Sequence, residues 1–264
     1  MAATSGAPRS NRSVGDNMLP PRPMFIALQF LTALPIRLEA APANEAVGRS
    51  LLFYPLVGLL IGTLLAGLGW GLSSAPAFIA AALLLAAWVL STGLLHLDGL
   101  ADSADAWIGG LGDRDRTLAI MKDPRCGPAA VVILVLVLLL KFTALTQLIA
   151  DANWALLLLA PLLGRTALLL LFFTTPYVRP GGLGSMLADH LPRRSAKIVL
   201  LITLTSVIAA LGVAALWPLA AAGVTLVLAR LFMLRRIGGT TGDTAGALVE
   251  ITETVVLLSA LLVQ

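Results

Sequence analysis

Seven apolar stretches, at 51–72, 78–95, 128–149, 154–174, 198–215, 219–234 and 245–263, set the terms for any fold this chain can adopt. A helix rising 1.5 Å per residue crosses a ~30 Å hydrocarbon layer in about 20 residues, whereas a barrel strand needs about half that length and alternates apolar with polar. The run lengths therefore read as helices. With 58% hydrophobic and only 12% charged residues among 264, and a mean hydropathy of +0.94, an ordinary soluble domain is excluded. The expected fold is all-α, a polytopic membrane helical bundle of about seven transmembrane helices.

Residues 1–23 are rich in Ser, Pro, Gly, Asn and Arg and lack the apolar core of a signal peptide, so they read as a flexible polar N-terminal tail. Residues 24–264 then form one integral membrane catalytic domain. Its first apolar stretch, 24–36, is too short to span and contains Pro35, which predicts a short interfacial or re-entrant helix. The lone cysteine, Cys126, excludes an intrachain disulfide.

The connections at 73–77, 151–153 and 216–218 are very short and hold no Lys or Arg, while the other connections are longer and basic. By the positive-inside rule the basic side is cytoplasmic. A formal charge of +4 is then met by anionic lipid headgroups of the bilayer and by phosphorylated substrates, with no nucleic-acid partner required. Nothing in the pattern fixes an oligomeric state.

All the candidate chemistry lies on this basic side. Six of the fourteen acids fall between Leu97 and Arg125. If the helix ending near Leu95 continues through them, Asp98, Asp102 and Asp105 stand at i, i+4 and i+7 and share a face. Such carboxylates suit Mg²⁺ or Mn²⁺, shared with substrate phosphates; a solvated acidic loop is the competing reading. His96 would point away from that face, in a structural role. Further on, Lys122 and Arg125 carry the charge a phosphate site needs, and equally serve as topology signals.

The segment Gly238-Gly239-Thr240-Thr241-Gly242-Asp243 opens the last apolar run, where free N–H groups and the helix dipole favour an anion, and where Thr241 or Asp243 can cap the helix. The loop Pro176-Tyr177-Val178-Arg179-Pro180-Gly181-Gly182 joins an arginine and a tyrosine to glycines; it either closes over a bulky substrate or is a plain turn. Glu250 and Glu253 would lie about 10 and 15 Å below the basic end of the last helix, Arg165 about 14 Å and Lys141 about 20 Å below it on their own. Unpaired charges there are costly, so Arg165 is expected to pair with Glu250 or Glu253.

The series Phe30-Leu31-Thr32-Ala33-Leu34-Pro35, Tyr54-Pro55-Leu56-Val57-Gly58, His96-Leu97-Asp98-Gly99-Leu100-Ala101-Asp102, Met121-Lys122-Asp123-Pro124-Arg125 and Gly239-Thr240-Thr241-Gly242-Asp243 resembles the cobalamin synthase family, the adenosylcobinamide-GDP ribazoletransferases. The resemblance runs in order from about residue 25 to the end and departs from the family pattern at Ala129-Ala130. It implies a Mg²⁺-dependent phosphotransferase of a bacterial cytoplasmic (inner) membrane, its active site facing the cytoplasm. In that reaction α-ribazole or its 5′-phosphate attacks adenosylcobinamide-GDP, GMP leaves, and the nucleotide loop of cobalamin is completed. The implied metal ligands are Asp98, Asp102 and Asp105. Asp123 or Asp243 would complete the metal shell or accept the hydroxyl proton, and Lys122, Arg125, Arg165, Arg179, Gly242 and Glu250 would contact substrate. The signature is also reminiscent of CDP-alcohol phosphotransferases, the second reading; a transporter is the non-enzyme alternative, suggested by the intramembrane charges.

Overall fold

The computed structural model describes residues 22–38 and 41–261. Most of the expected tail, residues 1–21, lies outside the described residues. The described chain is all-helical: α1 (Arg22–Leu31), α2 (Asn44–Ser50), α3 (Tyr54–Gly71), α4 (Ala77–Ser91), α5 (Leu95–Gly109), α6 (Arg114–Ile120), α7 (Pro128–Ala150), α8 (Trp154–Thr174), α9 (Gly182–Asp189), α10 (Arg193–Leu211), α11 (Leu216–Ile237) and α12 (Gly242–Leu261). Each of the seven apolar runs is one of the long helices, and the short apolar stretch before them is α1, too short to span. By length and composition four helical stretches could cross a membrane, or five if the bent pair α4–α5 is one span. One of the four, Arg193–Ile237, is 45 residues long, about twice what a bilayer needs, and Gly212, at φ 57° and ψ −135°, breaks it into α10 and α11.

Small residues decide which helices touch. A Cβ on Gly62 of α3 would sit 2.7 Å from Leu158 Cα of α8, and one on Gly58 would meet the Pro161 carbonyl. With lipid as apolar as any side chain, close backbone approach of this kind drives helix pairing in a bilayer. Pro161 also lacks the N–H that would bond the Leu157 carbonyl, and Gly62 packs against that same carbonyl.

The helix that approaches Leu95 does not run straight on through the acidic residues, which lie on a separate helix, α5. Helix α4 stops at Ser91, Gly93 and Leu94 both take left-handed backbone (φ 61° and 62°), and α5 leaves at 87° to α4. Left-handed backbone costs a leucine about 1–2 kcal/mol, a strain the surrounding packing must offset. The acidic helix consequently lies across the charged end of the bundle, where it meets α12 and α7.

The crossing with α12 is again made by glycine. A Cβ on Gly99 would stand 2.7 Å from the Asp243 carbonyl oxygen, and one on Gly246 would stand 3.4 Å from Gly99 Cα and His96 Cα. His96 is buried in this crossing, consistent with a structural role. Basic residues that read as topology signals also act as clamps. Arg114 Nε donates to the Ile237 carbonyl at 3.0 Å, and Arg236 donates to Thr117 Oγ1 at 3.0 Å and the Trp107 carbonyl at 2.7 Å, fastening α5 and α6 to the end of α11. Arg230, hidden inside an apolar run, donates to Thr175 Oγ1 and the Thr174 carbonyl and ties α11 to the end of α8.

Candidate active site

Two loops far apart in sequence build the centre of the site. Val178 N donates to the Thr240 carbonyl and Thr240 N to the Pro176 carbonyl, each at 2.9 Å, so the Tyr177 and Thr240 segments pair as a single parallel bridge. Glycine makes this possible: a Cβ on Gly239 would collide with the Pro176 carbonyl. The pairing carries Arg179 to the start of α12, where its guanidinium meets Asp243 Oδ2 at 2.8 Å. Tyr177 reaches over, its ring filling the space a Cβ of Gly184 would need and stacking on Phe172 at 6.0 Å.

Helix α12 begins in a reciprocal cap. Thr241 N donates to Thr244 Oγ1 at 2.9 Å and Thr244 N to Thr241 Oγ1 at 3.3 Å, the arrangement of a capping box with threonine in both positions. Thr241 is therefore the capping residue. Asp243 is left free of that duty and faces α5.

Across from it, Asp98 is exposed and Asp102 half-buried on α5. The Asp102 carboxyl is pushed up to about 6, first by burial and then by the negative charges of Asp98 and Asp243. Carboxylates from two helices thus crowd one another at the charged end. Asp105 is differently occupied: it accepts from Gly127 N at 2.6 Å and Ala130 N at 3.0 Å, capping α7 from outside, and Gly127 is bare because a Cβ would sit 2.6 Å from the Asp105 carboxylate. Asp123 is ion-paired with Arg125 at 2.5 Å, and those hydrogen bonds hold its carboxyl down at about 2. Lys122 is exposed. The structure thus brings together Asp98, Asp102, Asp243 and Arg179, with Gly242 at the helix start. Asp105, Asp123 and Arg125 are engaged in local contacts.

The intramembrane charges form a group of their own. Lys141 Nζ donates to Glu250 Oε2 and Glu253 Oε2, both at 2.6 Å, and lies 4.6 Å from the Trp88 ring centre. Arg165 pairs with Glu253. Of the two partners anticipated for Arg165, Glu253 is the one it takes, while Lys141 bridges Glu253 to Glu250. The i, i+3 spacing of Glu250 and Glu253 opposite two lone cations was the available signal. Two positive and two negative side chains make the cluster neutral, which is how four charges are tolerated among buried helices.

As to a metal, among the described residues no group of three or more His, Cys, Asp or Glu side chains could hold an ion alone. The donor set does fit Mg²⁺ in its usual manner, one or two carboxylates with substrate phosphates and water completing the shell. The mutual repulsion felt by Asp102 is what a bound cation relieves.

The family model described as Cobalamin-5-phosphate synthase matches residues 23–262. The chain is 60% identical over 240 residues to a Pseudomonas fluorescens protein named adenosylcobinamide-GDP ribazoletransferase, covering 91% of this chain and 99% of the relative. Proteins of the same name from Pseudomonas putida and Stutzerimonas stutzeri are 61% and 60% identical, each match covering 89% of this chain and 97% and 96% of the relatives. No solved structure matches the chain. With residues 23–262 matched and relatives about 60% identical over nearly their whole length, this chain belongs to the cobalamin-5-phosphate synthase family.

Proposed function

We infer that this protein joins adenosylcobinamide-GDP to α-ribazole or its 5′-phosphate and releases GMP, the reaction named by its relatives. The observation that carries this reading onto the chain's own residues is the meeting of Asp98 and Asp102 on α5 with Asp243 on α12, beside Arg179. In the reaction a ribose hydroxyl attacks the cobinamide-linked phosphorus, the new phosphodiester oxygen–phosphorus bond forms, and the bond to the GMP oxygen breaks. Asp98 and Asp102 would hold Mg²⁺ or Mn²⁺, which when bound supplies positive charge against the diphosphate oxygens. Asp243 has Oδ2 on Arg179, and its Oδ1 accepts the hydroxyl proton. Asp123 is a poor base for this step, being held at about 2 by Arg125. Arg179 holds a phosphate oxygen by a charge-assisted hydrogen bond.

The charged end, carrying the longer basic connections, is read as the cytoplasmic face of the inner membrane, so both substrates reach the aspartates from the compartment where nucleotides are found. The test uses purified protein in detergent with Mg²⁺, cobinamide-GDP and ribazole 5′-phosphate. GMP release without any membrane gradient is expected, and Asp98→Asn or Asp102→Asn abolishes it without lowering the thermal unfolding temperature. Full turnover in either variant removes these carboxylates from the reaction, and no GMP from the unaltered protein removes the reaction itself.

A further inference from the structure

Resting on that reading, we propose that a polar cleft on the far side of Arg179 from Asp243 binds the guanosine end of the nucleotide substrate, with Asp189 recognising the guanine edge. The cleft, about 650 Å³, lies between the end of α8, the Tyr177 loop, α9 and the start of α10. Its size is within the range of roughly 300–1,000 Å³ usual for small-molecule sites. Arg179 belongs to both places: it lines the cleft and its guanidinium is on Asp243. A nucleoside attached to a diphosphate at the aspartates would therefore have the cleft beside it, with Arg179 between the two.

The lining has the chemistry a guanine nucleotide needs. A second cation, Arg193, is fixed at the wall by donating to the Phe173 carbonyl at 2.9 Å and lying 4.8 Å from the Phe173 ring centre. The cleft thus carries Arg193, the single acid Asp189 and, at its edge, Arg179, whose charge is shared with Asp243. Asp189 is exposed at the end of α9 and makes no ion pair among the described residues. Guanine presents two adjacent donors, N1–H and the 2-amino group, and an ionised carboxylate has two acceptor oxygens at matching spacing. Adenine offers no such pair of donors, and the apolar base of ribazole offers none.

The other sizeable cavity near the acidic helix does not compete for this ligand. It is about 360 Å³, is apolar, and is lined on α5 by Leu100, Ala104 and Trp107, the helix face opposite Asp98, Asp102 and Asp105. A charged nucleotide there would lose its hydration without gaining a partner.

The decisive measurement is equilibrium binding of GMP, IMP and ribazole 5′-phosphate to the detergent-purified protein with Mg²⁺. IMP differs from GMP by lacking the 2-amino group. The unaltered protein should prefer GMP to IMP by about tenfold, the worth of one hydrogen bond to a charged acceptor. Asp189→Asn should erase that preference and leave ribazole 5′-phosphate binding unchanged. Asp189→Glu, which keeps the carboxylate, should retain a preference for GMP and answers any doubt about folding in the Asn variant. An intact GMP preference in Asp189→Asn overturns the proposal, as does weakened ribazole 5′-phosphate binding in either variant. In both cases continued GMP release by the unaltered protein leaves the assigned reaction standing and sinks only the cleft assignment.

Discussion

Glu253 is the carboxylate on which the buried charge cluster turns, and replacing it tests the balance of the bundle interior. It is fully buried, accepts from Lys141 at 2.6 Å and is the partner of Arg165; Glu250 is bonded by Lys141 alone. Glu253→Gln leaves Lys141 with Glu250 and leaves Arg165 with no carboxylate, so the cluster gains one uncompensated positive charge. Arg165 is already short of acceptors, since its Nε and second terminal nitrogen have none. Breaking a buried pair in this way costs about 3–5 kcal/mol, mostly the penalty on the partner left behind. Arg165→Met leaves the opposite imbalance and should cost a similar amount.

The double variant restores neutrality, because Lys141 and Glu250 still face each other. Its loss should fall short of the sum of the single losses by about 3 kcal/mol, the upper range for directly interacting residues. The assay is denaturant unfolding of the four proteins in one detergent, followed by tryptophan fluorescence, with Trp88 against Lys141 as the local reporter. Losses that add to within about 0.5 kcal/mol would refute the pairing and with it the reason given for four charges in the bundle.

Three further outcomes are expected. Asp105→Ala removes the acceptor of Gly127 N and Ala130 N; it should cost about 0.5–2 kcal/mol of unfolding free energy, as loss of a helix cap does, while Mg²⁺ affinity measured through GMP release stays near normal, and a selective fall in Mg²⁺ affinity would return Asp105 to the metal set. Because the Asp102 carboxyl sits at about 6 instead of 3.8, Mg²⁺ activation should weaken about tenfold per pH unit below that point as the carboxyl protonates; the folded state binds the extra proton, so this group's contribution to stability is present at low pH and is lost as pH rises from 3.8 to about 6, opposite in sign to activity, and a flat Mg²⁺ requirement between pH 5 and 7 contradicts the assignment. Gly99→Ala, whose Cβ would stand 2.7 Å from the Asp243 carbonyl oxygen, should cost about 1–3 kcal/mol by overpacking and lower turnover at saturating substrate, whereas Gly67→Ala, with nothing within 4 Å, should do neither.

Some of the groupings seen in the fold are legible in the chain and others are not, for identifiable reasons. The i, i+4, i+7 spacing did put Asp98, Asp102 and Asp105 on one helix, but spacing says nothing of what lies opposite, and the start of α7 took Asp105. The turn before α5 had a signal in Ser91-Thr92-Gly93, which an unbroken hydropathy run concealed. Nothing local distinguishes Arg125, neutralised by Asp123 two residues away, from Arg179, delivered to Asp243 across 64 positions by a bridge between two loops.

Hydrophobic run lengths, charge asymmetry between connections and acids inside apolar stretches are properties of single segments, so the sequence by itself determined the helical membrane class, the long helices, the charged end and the need for buried pairing. The choice of partner was decided only in three dimensions. In a bilayer the hydrophobic effect does not favour one helix pair over another; pairing follows from where bare glycine backbones let helices approach, at Gly58, Gly62, Gly99 and Gly246, and those contacts in turn fixed which carboxylates face each other and which face the backbone.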